Sequence, residues 1–202
     1  MSQAQTKTKG ERTRAAILDE ALRMVSNGGL EGLTIGTLAD ATGLSKSGLF
    51  AHFGSREELL LAVLGHGQEE FTRVVFEPAM DFPRGTPRLR AMFTNWLDWT
   101  ESAELPGGCP MLGGATEFDD KPGPVRDMLA GGQRLWIETL KRGVRQAIEE
   151  GQLAADTDPE QIAFEMFGIA LVVHHHRRLL GYPKARARAL TALEKLFKAV
   201  SR

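Results

Sequence analysis

The sequence predicts an all-α fold, and two observations support this prediction. Apolar residues recur at the i, i+3, i+4, i+7 spacing that places them on one face of an α-helix. No stretch shows the strict alternation of apolar and polar residues that is typical of a half-buried strand. The chain has 202 residues, 42% of them hydrophobic, which is enough to bury a core in one or two domains. We expect about nine helices.

Glycine, proline and capping residues set the expected helix boundaries. The first helix should span about residues 11–27 and end at Gly28-Gly29. Thr34, Ser45 and Ser55 are candidate N-caps for three helices that follow, and Ser55 with Glu58 has the spacing of a capping box. We expect the fourth helix to extend toward Val75, and a further helix to follow the break at residues 81–87. Later segments are a loop or distorted helix start at 105–114 and helices at about 124–150, 159–180 and 189–200.

Composition excludes several classes of protein. The net charge of −1 argues against binding to polyanions through bulk charge, so a nucleic-acid site must be a local patch. The single cysteine cannot form an internal disulfide. No stretch approaches the roughly 18 apolar residues of a membrane-spanning helix, and the N-terminus lacks the apolar core of a secretory signal. We therefore expect a cytoplasmic protein with no membrane partner.

Charge is distributed unevenly along the chain. Residues 1–56 contain seven Lys and Arg against five acidic residues, whereas the remainder contains 18 against 21. This small asymmetry has the sign expected of a DNA-binding head on a neutral body. The first ten residues are polar and are expected to form a disordered basic arm, with Lys7 and Lys9 either near DNA or simply solvated.

Residues 34–53, TIGTLADATGLSKSGLFAHF, have the spacing of a helix-turn-helix. Ala39 is small where the two helices must cross closely, and Gly43 supplies the positive φ of a tight turn. We expect Leu38, Leu44 and Leu49 to fill the small shared core, and the second helix to face outward toward a major groove. An ordinary αα-hairpin has the same spacing, so this segment alone leaves both interpretations open.

The flanking residues favour DNA binding. Thr13-Arg14 opens the first helix, and TIGTLADATGLSKSGLFAHFGSREEL follows a double glycine. Over residues 11–60 this pattern closely resembles the tetracycline-repressor (TetR) family of bacterial transcription regulators. The resemblance implies a homodimer with a helix-turn-helix domain at 11–56 and a helical effector-binding and dimerisation domain at 57–202. It also implies a repressor that binds a near-palindromic operator and is released by a small, largely apolar effector.

The resemblance assigns DNA-contacting roles position by position. Thr34 matches a threonine that contacts phosphate through its hydroxyl and backbone N–H, and His52 and Arg56 match phosphate-facing positions. Lys46 alone among the recognition-helix positions has the length and donors to bind a guanine. Phe50 stands where the family usually has tyrosine, so a phosphate hydrogen bond is lost. The predicted set is Arg14, Thr34, Ser45, Lys46, Ser47, Gly48, Phe50, His52 and Arg56.

The body is rich in large, adaptable side chains that suit an apolar or aromatic effector. For any one of them taken singly, plain core packing is the more common explanation. Trp99 lies off the main apolar stripe of its helix, and Met111 lies in the glycine-rich segment 105–114. The predicted pocket residues are His66, Phe93, Trp96, Trp99, Met111, Phe118, Trp136 and Phe167.

Two further features invite other interpretations. Cys109 is either a thiol sensor, with its pKa lowered by a nearby helix N-terminus, or a small buried hydrophobe. His174, His175 and His176 are adjacent, and neighbouring helical residues point about 100° apart, so the three cannot close on one metal ion. We predict no metal, no cofactor and no catalytic residue, and packing at a subunit interface for the histidines.

The helix at 159–180 is apolar nearly all round and must be buried on more than one side. We expect a homodimer through about residues 159–201. The resemblance implies that this segment of each chain forms half of an intermolecular four-helix bundle.

Two alternative functions remain open from the residues. One is a helical hydrolase that uses the histidine run, although the motifs of common hydrolases and nucleotide-binding enzymes are absent. The other is a protein-interaction module whose helix-turn-helix no longer binds DNA.

Overall fold

The computed structural model describes residues 8–202 and confirms the all-α prediction. Nine α-helices occur in this range, with a π-helical turn at Thr72–Phe76 and a 3₁₀ turn at Glu77–Asp81 after the fourth. The helices are α1 (Lys9–Gly28), α2 (Ile35–Thr42), α3 (Lys46–Phe53), α4 (Arg56–Phe71), α5 (Thr86–Thr100), α6 (Pro110–Phe118), α7 (Pro124–Glu149), α8 (Pro159–Arg178) and α9 (Ala185–Ala199). The β-pairing in the described range is one isolated bridge between Leu153 and Ser201.

Helices α1, α2 and α3 form a small head. Leu38 and Ala39 of α2 are buried with Leu49 and Phe53 of α3, and Gly43 adopts φ 68° at the turn between the two helices. This is the left-handed conformation that the sequence predicted for a glycine here. The prediction that Leu44 fills the shared core is wrong, because Leu44 is 38% exposed.

Helix α1 begins earlier than the sequence suggested. Thr8 accepts a hydrogen bond from the Glu11 N–H, and the Glu11 side chain bonds back to the Thr8 N–H, which makes a capping box. Lys9 and Gly10, which we placed in a disordered arm, therefore belong to the helix. Residues 1–7 of that arm, which include Lys7, lie outside the described residues.

Helix α4 joins the head to the body. It packs against α1 and α3 on one side and against α6 and α7 on the other. Leu59, Leu60, Val63 and Leu64 are buried along its length, so one continuous core spans both parts. The predicted boundary at residues 56 and 57 falls at the start of this helix, and displacement of α4 affects both sides.

Helices α5 to α9 form the body. α7 packs against α8 and α8 against α9, while α5 contacts α7, α8 and α9. The segment predicted as a loop or distorted helix start ends in a regular helix, α6, with Pro110 in its first turn, where a missing N–H breaks no helical bond. Within residues 8–202, no helix is long and apolar enough to cross a membrane.

Candidate DNA-binding face and ligand pocket

Helix α3 presents one exposed face. The Ser45 Oγ accepts a hydrogen bond from the Gly48 N–H at 3.1 Å and so starts the helix. Leu49 and Phe53 are buried and fix the orientation of α3 on the head. The exposed positions are Ser45, Lys46, Ser47, Gly48, Phe50, Ala51 and His52, and all of them except Ala51 are predicted DNA contacts.

Lys46 and Thr34 lie close together at the beginning of α2. A Cβ added at Gly36 would lie 3.6 Å from both Lys46 Cε and Thr34 Oγ1, so the lysine extends past the first turn of that helix. Thr34 accepts a hydrogen bond from the Thr37 N–H and donates its own N–H to Thr37 Oγ1. The two groups that the resemblance assigned to phosphate are thus both used in a capping box, while the Lys46 ammonium lies at the positive end of α2.

The two predicted arginines have different surroundings. The exposed Arg14 guanidinium lies 5.2 Å from the centre of the Phe53 ring, which places its charge beside the end of α3. Arg56 Nε donates to the Leu33 carbonyl, and its Nη2 donates to the carbonyls of Leu30 and Glu31. Arg56 therefore joins α4 to the turn between α1 and α2, a role the sequence did not reveal.

A cavity of about 320 Å³ lies in the body, lined by residues of α4 to α8 and of the π-helical turn. Aromatic rings pack edge-to-face around it: Phe71 and Trp136 have centroids 4.8 Å apart, and Trp96 and Trp136 5.7 Å apart. The lining residues are Gln68, Phe71, Thr72, Phe76, Trp96, Cys109, Met111, Leu112, Gly132, Gln133, Leu135, Trp136, Thr139 and Phe167.

Four of the eight predicted pocket residues, Trp96, Met111, Trp136 and Phe167, line this cavity. The other four lie elsewhere for separate reasons. His66 Nε2 lies 2.6 Å from Asp19 Oδ1 and joins α4 to α1, and Phe93 is fully buried in the core. Trp99 packs edge-on against Phe71, and Phe118 lies beneath the Lys121 ammonium at the end of α6.

Several lining residues that the sequence did not predict share a helical spacing. On α7, Gly132, Leu135 and Thr139 stand with the predicted Trp136 in the i, i+3, i+4, i+7 pattern. Gln68 and Phe71 of α4 and Thr72 just after it follow the first part of the same pattern. The sequence signal for a cavity is a small or polar residue at one position of an otherwise apolar helical stripe. This signal separates cavity lining from core only after the neighbouring helices are placed.

The lining is apolar and contains no Asp, Glu, Lys, Arg or His side chain among the described residues. Its amide groups come from Gln68 and Gln133. Gln68 Nε2 donates to the Met128 carbonyl at 3.4 Å, and Gln133 Nε2 donates to the Met111 carbonyl at 3.3 Å. Such a cavity suits an uncharged ligand, because a charged group would lose its hydration without gaining an ionic partner.

Burial raises the pKa of the Cys109 thiol to about 11, although the residue is the N-cap of α6. Loss of solvation therefore outweighs the helix N-terminus, the reverse of the direction that a thiol sensor requires. Cys109 behaves as the small buried hydrophobe of the alternative interpretation.

The histidine run is dispersed around α8. Half-buried His174 lies against Gly108, and burial is the first cause that lowers its pKa, followed by the charge of Arg178. His176 packs edge-on against Tyr182. In the described range, 8–202, no group of three or more His, Cys, Asp or Glu side chains is placed to hold a metal ion.

The head and the body each match the model of a known protein family. Residues 17–63 match the family model described as bacterial regulatory proteins, tetR family. Residues 85–193, more than half of the chain, match the model described as tetracyclin repressor-like, C-terminal domain. The chain belongs to the TetR family. This confirms the sequence prediction of a DNA-binding transcriptional regulator of that family rather than an enzyme.

Two solved structures share almost the whole fold. A TetR regulator from Chloroflexus aurantiacus aligns with a TM-score of 0.86 at 27% identity, over 96% of this chain and 98% of that one. AibR, crystallised with isovaleryl coenzyme A and operator DNA, aligns with a TM-score of 0.73 at 27% identity, over 93% of this chain and 98% of AibR.

Curated relatives are regulators as well. The transcriptional repressor AcnR of Corynebacterium glutamicum is 38% identical over 69 residues, which is 34% of this chain and 37% of AcnR. The chain thus spans little more than a third of AcnR in that match. The regulator RutR of Escherichia coli K12 is 26% identical over 190 residues, covering 81% of this chain and 77% of RutR.

Proposed function

We propose that the protein is a repressor that binds a near-palindromic operator as a homodimer and releases it when a small, uncharged, largely apolar effector fills the body cavity. One observation carries this proposal: the exposed face of α3 and the cavity are joined by α4, which packs against the head and also lines the cavity. Occupancy of the cavity can therefore change the placement of the head.

The DNA-binding role rests on the head, proposed as residues 11–56. Lys46, Ser47, Gly48 and Phe50 occupy the first turns of an exposed helix, which is the part of a recognition helix that meets base edges. Lys46 supplies the donors for a guanine, and Arg14 and His52 supply contacts to phosphate. Arg56 remains a proposed phosphate contact in addition to its bonds within the head.

The dimer rests on α8, within the proposed body of residues 57–202. Phe164, Gly168, Leu171 and Val172 follow the i, i+4, i+7, i+8 spacing and form one stripe, along which Phe164 is 72% exposed. A Cβ added at Gly168 meets no atom within 4 Å, so a second chain can approach closely there. An exposed apolar stripe of this kind marks an interaction surface, and we assign it to a second copy through residues 159–201.

The effector is proposed to be uncharged because the described residues that line the cavity carry no charge. AibR, a structural relative, was crystallised with both an acyl coenzyme A and operator DNA, which supports control of DNA binding by a ligand. In this chain the cavity would accept an acyl or aromatic group, but the described residues of its lining include no cation for coenzyme A phosphates. A 100-fold loss of DNA affinity needs only about 2.7 kcal/mol of differential binding.

Selection of bound DNA from a pool of random duplexes, at fixed near-physiological salt, tests this function. We expect enrichment of a near-palindrome. A selection that enriches nothing, repeated on protein that was unfolded and refolded without ligand, would contradict DNA binding. As a regulator of this kind, the protein would reside in the cytoplasm, on the nucleoid when bound.

A further inference from the structure

Helix α6 has two sides that face different parts of the molecule. Met111 and Leu112 line the cavity, whereas Gly114 and Glu117 lie against the head. A Cβ at Gly114 would lie 2.5 Å from Leu30 Cδ1, so this glycine lets α6 approach the fully buried Leu30. One nine-residue helix thus contacts both the ligand site and the end of α1.

Glu117 makes the polar part of this contact. Its carboxylate accepts the N–H of Leu30 at 3.0 Å and the N–H of Glu31 at 2.9 Å. Gly29 is the first residue of the turn at residues 29–33, which follows α1. It has φ 79°, and a Cβ there would lie 2.5 Å from Glu117 Oε1. The backbone is therefore shaped around the carboxylate, and bonds from N–H groups to an ionised acceptor are strong.

The turn at residues 29–33 is held from a second direction as well. Its N–H groups at Leu30 and Glu31 bond to Glu117 of α6, while its carbonyls at Leu30, Glu31 and Leu33 bond to Arg56 of α4. Thr34 follows directly and caps α2. A displacement of this turn must move the start of α2, and with it the helix-turn-helix.

We propose that Glu117 is the positioning residue through which cavity occupancy reaches the DNA-binding head. A ligand that presses on Met111 and Leu112 shifts α6, and Glu117 at the other end of that helix displaces the turn at 29–33. This route runs beside α4 and does not require α4 to move first. It deepens the function proposed above and rests on that function for its effect on DNA.

Four chains test the proposal without a known effector: the native protein, Met111→Trp, Glu117→Ala and the double variant. The tryptophan serves as a built-in occupant of the cavity. On the selected duplex, Met111→Trp should weaken DNA binding at least about tenfold when Glu117 is present and less than about twofold in the Glu117→Ala background. Equal losses in both backgrounds, or no loss in the native background, would overturn the proposal.

Two further variants exclude a folding defect. Asp120→Ala removes an exposed carboxylate three residues along the chain and should preserve the tenfold loss. Glu117→Gln keeps one acceptor oxygen. In this background Met111→Trp should weaken DNA binding by an amount between the losses in the native and Glu117→Ala backgrounds, which general destabilisation of the head would not produce. Failure of either expectation would count against Glu117 as the coupling group.

Hydrogen exchange on DNA-free protein separates this proposal from the proposed function. The amides of Leu30 and Glu31 should exchange at least about tenfold faster in Met111→Trp than in the native chain, because their acceptor is displaced. Accelerated exchange in a protein that binds no DNA would support the route and overturn the repressor. Unchanged exchange in a protein that binds DNA would overturn the route alone.

Discussion

Residues of the same charge have different roles in the head, and the contacts that each residue makes distinguish these roles. The Arg14 guanidinium is exposed beside Phe53, whereas Arg56 donates to three backbone carbonyls. Lys46 lies along Gly36 at the N-terminus of α2, on the exposed face of α3. All three residues add one positive charge to the composition, but substitution of each is expected to have a different effect.

Lys46→Ala should weaken binding to the selected operator by about 1–3 kcal/mol and relax the preference at one base position, because its ammonium can donate to a guanine. Binding curves on the operator and on its single-base variants measure both effects. Arg145→Ala, which removes an exposed cation on α7 outside the head and the proposed dimer segment, is the control. An equal loss on every sequence would show that Lys46 contacts only phosphate.

Arg56→Ala should lower the free energy of unfolding by about 1.5–3 kcal/mol, since it removes charged donors from three carbonyls of one turn. Arg14→Ala should leave stability nearly unchanged and reduce the salt dependence of DNA binding by about one phosphate contact. Urea unfolding and binding at several salt concentrations measure the pair. Equal stability of the two variants would contradict the role given to Arg56.

Cys109 should react slowly with iodoacetamide in the folded protein. With its pKa raised to about 11, only about one thiol in a thousand is ionised at pH 8, and the residue is also buried. The rate should rise at least about a hundredfold in denaturant, and the single cysteine makes the labelling unambiguous. Equal rates in folded and unfolded protein would restore the thiol-sensor interpretation.

At the scale of elements, α8 carries two faces with different partners. Ile162, Met166 and Val173 are buried within the chain, whereas Phe164, Leu171 and Val172 are exposed. The sequence showed an apolar helix and predicted burial on more than one side. One chain satisfies only part of that expectation, which leaves the exposed stripe for a second copy.

Phe164→Glu should therefore convert the dimer to a monomer, because a carboxylate on each copy would be buried without a partner. Sedimentation velocity at micromolar concentration measures the change. Phe82→Glu, at another exposed phenylalanine outside the helices, should leave the dimer intact. Dimers of unchanged affinity in Phe164→Glu would exclude this stripe as the interface.

At the scale of the whole molecule, the sequence predicted features that depend on neighbouring residues better than those that depend on distant ones. Thr34, Gly43 and Ser45 act within a few positions, and their caps and turn are as predicted. The cavity is formed by distant segments. Gln68 and Leu135 were missed because a position in a helical stripe separates cavity lining from core only after the neighbouring helices are placed. Phe93 has the same periodicity as Trp96, yet one belongs to the core and the other to the cavity wall.

The same limit applied to Glu117 and Arg56. Their hydrogen-bond partners in the turn at 30–33 lie 86–87 and 23–26 positions away along the chain, so no spacing rule pairs them. Both residues look like ordinary surface charges in sequence. The structure shows that they bind the opposite sides of one backbone turn.

Hydroxyl-radical footprinting of the 202-residue chain on the selected duplex tests the central claim most directly. A two-headed regulator predicts two protected tracts on one face of the DNA, with centres about 34–36 Å apart, and a complex that contains two chains. Lys46→Ala should weaken both tracts together. A single protected tract, or uniform protection without defined edges, would contradict the proposal that this TetR-family protein binds its operator through two symmetric heads.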